Sequence, residues 1–114
     1  FKVKLSGIYM IKHLSGFYYI GMSNDIFSRW SSHYSSMKTG SHSSTKFQFL
    51  FLGSDITEWS FTILETHSFT KWKKENGTKD ATKLFRRHLL SREKVVMSNY
   101  SVEYALNKDV KHFS

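Results

Sequence analysis

The chain is 114 residues long, with 39% hydrophobic and 17% aromatic residues, and 17 Lys and Arg against 9 Asp and Glu leave a formal charge of +8. That length supports one domain with one modest core, and the apolar content is too high for a disordered basic tail. No run approaches the roughly 18 apolar residues of a membrane span, no signal-peptide pattern opens the chain, and the absence of cysteine removes disulfides, thiol nucleophiles and sulfur-ligated zinc. The chain opens on Phe1 rather than Met, as expected of a segment trimmed from a longer protein.

Leu5 to Ile11 is apolar and β-branched and reads as a first strand. His13-Leu14-Ser15-Gly16 is a turn and Phe17 to Met22 a second strand, so the two form a hairpin. Ser23-Asn24-Asp25 supplies N-cap residues, and Ile26, Trp30, Tyr34 and Met37 recur at helical spacing, predicting a helix from Asp25 to Met37. A Gly/Ser loop over Thr39 to Ser44 leads to a second helix, Ser44 to Leu52, stopped at Gly53. Trp59 to Thr66 is the third strand, with Trp59, Phe61 and Ile63 on one face. Lys71 to Thr78 reads as a charged loop carrying the turn signal Asn76-Gly77. A long helix fits Asp80 to Asn99, with Leu84, Leu89 and Val96 in its apolar stripe, and Tyr104 to Asn107 is a short extended piece. The order β-β-α-α-β-α predicts an α+β domain, a three-stranded antiparallel sheet covered by helices.

The positive residues cluster. Lys2 and Lys4, Lys38 with Lys46, and the stretch from Lys71 to Arg92 hold most of them. That stretch contains Lys71, Lys73, Lys74, Lys79, Lys83, Arg86, Arg87 and Arg92, with Trp72 among them. Basic residues interleaved with an aromatic suit a surface that tracks phosphates, so Lys46, Lys71, Trp72, Lys73 and Lys74 are candidate DNA-binding residues.

Two tripeptides mark the hairpin: Gly7-Ile8-Tyr9 on one strand and Tyr19-Ile20-Gly21 on the other, with nine residues between them. Arg29 follows Gly21 by eight residues, and His33 follows Arg29 by four, which places both on one helical face. His42 lies nine residues further on, and Glu93 falls on the stripe of the long helix. A carboxylate there is costly unless it is paired, protonated or holding a cation; Arg86 and Arg92 are the candidate partners. His13, His67, His88 and His112 show no ligand spacing and read as surface residues.

These blocks, taken in order with the terminal pair Leu106-Asn107, resemble the GIY-YIG endonuclease family over nearly the whole chain. The resemblance implies a metal-dependent endodeoxyribonuclease. Tyr9 and Tyr19 would face the scissile phosphate, Arg29 would contact it, His33 would assist at the attacking water, and Asn107 and His42 would be supporting groups. Glu93 would hold one divalent ion, Mg²⁺ or Mn²⁺. Chemistry agrees with such roles: a hard cation on an oxygen ligand supplies Lewis acidity, and a guanidinium matches phosphate geometry. Beside Arg29 and a metal the Tyr9 phenolate would be favoured, and either Tyr9 or His33 could accept the proton of water.

The implied settings are phage, mobile-element, homing or restriction systems, acting in the cytoplasm of a bacterial or phage-infected cell. The expected partner is DNA and not a membrane, with the protein a monomer in solution that can pair transiently on DNA. The alternative is a basic nucleic-acid-binding module of the same fold without catalysis.

Overall fold

The computed structural model describes residues 5–40 and 45–106, with the backbone alone described for residues 45, 46 and 102. β1 (Gly7–His13) is the middle of a three-stranded sheet, flanked by β2 (Tyr18–Ser23) and β3 (Trp59–Thr66), with both pairings antiparallel. Because β1 is central, it is apolar on both faces and its residues alternate between two cores. Ile8 and Met10 pack with Tyr18, Ile20 and Val96 on one side. Tyr9 and Ile11 pack with Ile26, Met37, Phe47 and Trp59 on the other.

One close approach and a bulge fix the register of β1 against β3. The Gly7 backbone lies so near the Glu65 carbonyl that a Cβ there would collide with it. Beside that contact the pairing passes from Ile8–Glu65 to Tyr9–Ile63, so β3 carries one extra residue, Leu64. The bulge brings Leu64 into the core that contains Ile8 while Ile63 stays in the one that contains Tyr9.

Helices cover both faces. α1 (Ile26–Thr39) is capped by the Asp25 carboxylate, which accepts from the Ser28 N–H at 3.3 Å, and ends at Gly40 in the left-handed conformation. It buries Ile26, His33 and Met37; the expected stripe member Tyr34 is exposed, and His33 takes its place in the interior. α2 (Thr45–Leu52) inserts Phe47 between Tyr19 and Trp59. On the opposite side α4 (Ala81–Met97) buries Phe85, Leu89 and Val96. Leu84, expected in that stripe, points outward, because Phe85 fills the helix's inner face one position later.

The segment expected as a charged loop is α3 (Phe69–Asn76). Ser68 caps it by accepting from the Lys71 N–H, and Gly77 closes it with φ 89° and an N–H donated to the Lys73 carbonyl at 2.8 Å. Asn76-Gly77 is therefore a helix stop. Phe69 and Trp72 hold the helix against Phe85, with ring centroids 4.9 and 5.8 Å away. Charge on the outer face hid an amphipathic helix from the composition.

Beyond α4 a 3₁₀ turn (Val102–Tyr104) delivers Ala105 to a single parallel bridge with Tyr18, and the Leu106 N–H donates to the Tyr18 carbonyl at 2.6 Å. The expected extended piece is that bridge alone among the described residues. His13 is also corrected: it is buried at the hairpin end. The Ser15 N–H donates to its Nδ1, so the Nε2–H donates to Glu58 at 3.0 Å, and the ring packs edge-on against Trp59. Among the described residues no helix is long and apolar enough to cross a membrane.

Candidate active site

Tyr9 sits in the middle of the sheet, directly opposite Gly21 on β2. A Cβ at position 21 would fall on the Tyr9 hydroxyl, so glycine is what lets the phenol lie across β2. The ring is 1% exposed, and its hydroxyl lies 2.7 Å from His33 Nε2. Trp30 packs edge-on against Tyr9, and Tyr19 meets the His33 ring at 4.8 Å. Arg29, one turn before His33, hydrogen-bonds the hydroxyls of both Tyr9 and Tyr19. The i, i+4 spacing read from sequence thus does bring Arg29 and His33 to one place, joined through the Tyr9 oxygen.

Burial is the dominant influence on Tyr9: it pushes the phenol well above its ordinary pKa, with Tyr19 adding to the rise and Arg29 only partly offsetting it. In the protein alone burial favours the protonated phenol, and its hydroxyl lies within hydrogen-bond reach of His33 Nε2. Burial by itself would lower the Arg29 guanidinium, but the phenols of Tyr9 and Tyr19 outweigh it and raise it further. Arg29 is cationic at any working pH.

Glu93 approaches from the other face of the sheet. α1 and α4 pack on opposite faces, and Arg29 and Glu93 come to share a space around the edge of β2 at Gly21–Ser23. There they line one cleft of about 630 Å³, together with Tyr9, Tyr19 and Arg86. The Glu93 charge is felt at Tyr9. Arg92, considered as its partner, is instead held by Glu65, donating from Nε at 3.0 Å and from the terminal nitrogen at 2.6 Å.

The donor set of the cleft fits a hard divalent cation of the magnesium type. Among the described residues no group of three or more His, Asp or Glu side chains is placed to cage a metal. Two carboxylates line the cleft, and that of Asp25 caps α1, which leaves Glu93 as the metal-facing candidate. Magnesium needs one or two carboxylates when water and substrate phosphate complete its octahedron.

Other expected site residues fall elsewhere. Lys71, Trp72, Lys73 and Lys74 lie on α3, away from the cleft. Trp72 is half-buried on Phe85, and the Lys73 ammonium sits 4.6 Å above the Phe69 ring, so exposed Lys71 and Lys74 are the cations that face solvent. His42, Asn107 and His112 lie outside the described residues, as does the side chain of Lys46. Arg86, which the sequence offers as general charge and as a partner for Glu93, also lines the cleft, and its place seven residues before Glu93, two turns along one helix, is the sequence signal for that.

The two hairpin tyrosines, Arg29 and the Glu93 carboxylate thus line one open cleft, with His33 buried behind the Tyr9 hydroxyl. The family comparison agrees: residues 5–84 match the GIY-YIG catalytic domain, and the chain belongs to that family as a GIY-YIG-type endonuclease domain. Among solved structures it is similar to the catalytic domain of homing endonuclease I-TevI, at TM-score 0.65 and 25% identity over 90% of this chain and 99% of that one. A glutamate-to-alanine mutant of the catalytic domain of intron endonuclease I-TevI gives TM-score 0.68 and 27% identity, covering 90% and 92%. No curated protein matches by sequence.

Proposed function

We propose that this domain is a divalent-metal-dependent DNA endonuclease of the homing, restriction or phage type, working in a bacterial or phage-infected cytoplasm. The observation that carries the reading is the cleft at the β2 edge, where Arg29 bonded to two tyrosines confronts the Glu93 carboxylate. Arg29 binds a non-bridging oxygen of the scissile phosphate and offsets the charge that builds on it during attack. Tyr9 and Tyr19 fix that guanidinium, and the Tyr9 hydroxyl faces the attacking water. The water's proton passes to the Tyr9 oxygen as the Tyr9 proton passes to His33 Nε2, so a neutral phenol relays the proton to the imidazole. Glu93 would hold the divalent ion, which supplies Lewis acidity toward the phosphate and its leaving oxygen. Lys71 and Lys74 hold the flanking backbone of DNA.

Glu93→Gln tests the assignment because an amide keeps the packing and loses the anionic ligand. The variant is expected to fold and bind DNA as the wild type does and to leave plasmid uncut in Mg²⁺ or Mn²⁺. Wild-type nicking by it would refute the metal role. A nicking-inactive wild type that still binds DNA would leave the non-catalytic binding module as the answer.

A further inference from the structure

Besides Glu93, α4 sends Arg86 and Leu90 to the cleft and Thr82 to a second cavity of about 570 Å³. Positions 82, 86, 90 and 93 fall within an arc of about 80° on an α-helix, so one face of α4 lines both spaces. Asn24 belongs to both linings and is the point where they meet. Across the second cavity from Thr82 stands Thr70 of α3. Among the described residues Arg86 makes no ion pair or hydrogen bond, in contrast to Arg92 on the same helix, which Glu65 occupies through two bonds. An exposed guanidinium that lines a cleft and is paired with no carboxylate among the described residues is available to a phosphate entering that cleft.

We infer that the two cavities are one track for a DNA strand, in which Arg86 binds a phosphate about three nucleotides from the scissile one and Thr70 and Thr82 bind one about two nucleotides further on. This rests on the endonuclease reading above. The spacing fits: Arg86 is about 10 Å of helix from Glu93 and Thr82 about 16 Å, the axial length of about three and five nucleotides at 3.4 Å each. Leu90, exposed between Arg86 and Glu93, gives the sugar an apolar wall at the point where a charge would compete with the scissile phosphate. The strand therefore leaves the active site toward the start of α4, passing Asn24. Arg86 is a positioning residue; the chemistry stays with Arg29 and its partners.

The test uses binding to a 20-base-pair duplex across a salt series, with nicking kinetics beside it. Arg86→Gln should make the slope of log affinity against log salt shallower by about 0.9, and Arg86→Lys should restore it. Nicking by Arg86→Gln should show a raised KM with kcat within about twofold of wild type, the mark of binding shared by ground and transition states. Thr70→Val with Thr82→Val should raise Kd by about two- to tenfold with the slope unchanged, because a neutral donor releases no counterion. An unaltered slope for Arg86→Gln, or a kcat loss at saturating DNA, overturns the track while wild-type nicking keeps the endonuclease reading. A wild type that neither binds nor nicks DNA overturns both.

Discussion

Gly21 shows how much one absent side chain controls. Its backbone is ordinary strand, and what requires glycine there is the Tyr9 hydroxyl lying where a Cβ would be. Gly21→Ala should push the phenol off its 2.7 Å contact with His33, destabilising the fold by about 1–3 kcal/mol as other overpacked cores are. Chemical denaturation would report the stability loss, and plasmid nicking should fall far more than the remaining folded fraction explains. Arg29→Ala should slow cleavage by about 100- to 1000-fold, or about 2.7–4 kcal/mol, as the loss of one charge-stabilising donor does. Single-turnover nicking at saturating DNA checks it, and a loss below fivefold would place Arg29 outside the chemistry. Sequence showed which residues gather at this site, since periodicity puts Arg29 and His33 on one face and the hairpin register sets Tyr9 near Tyr19. The protonation of Tyr9 could not be read the same way: it depends on burial among Trp30, Ile26 and Phe47, which the fold creates.

Between elements, the clamp of Arg92 and His67 on Glu65 ties α4 to the bulged end of β3 and so sets the height of Glu93 over the sheet. Glu65 receives two bonds from Arg92 and lies 2.9 Å from His67, which in turn touches His88 of α4. The Arg92 bonds, with His67 helping, hold the Glu65 carboxyl down at about 2. A carboxyl lowered by folding stabilises the native state above its unfolded value near 4.5, and that contribution is lost as pH falls from there toward about 2. Melting temperature should therefore fall more steeply over that window in the wild type than in Glu65→Gln, as thermal scans at stepped pH would show. α3 carries the matching prediction for binding. Lys71→Glu with Lys74→Glu should reduce the salt slope of DNA binding while leaving cleavage at saturating DNA intact. That α3 is a helix was hidden because its charged outer face dominates the composition, while only Phe69 and Trp72 record the packing on Phe85. β1, β2, β3 and α1 were legible because long apolar runs and cap residues state them locally; the bulge at Leu64 leaves no such trace.

For the molecule as a whole, the sheet separates α1 from α4, and Arg29 and Glu93 meet in the cleft around the β2 edge. Tyr9, Arg29 and Glu93 line one cleft, so the function proposed above gives the domain one place to hydrolyse one strand. The two scissile phosphates of a duplex lie on antiparallel backbones, so a bound domain cut from one strand must turn over, or a second copy must arrive, before the other is cut. The +8 charge of the chain opposes close pairing in free solution and favours it on DNA, where phosphates screen it. The expected behaviour is a monomer at low concentration, with nicked circles accumulating before linear DNA and double-strand breaks rising more steeply than linearly with enzyme. Time courses of supercoiled plasmid at several enzyme concentrations, with light scattering on the free protein, measure both. A stable dimer at micromolar protein that makes linear DNA without a nicked intermediate would show that two clefts already act together before DNA is bound.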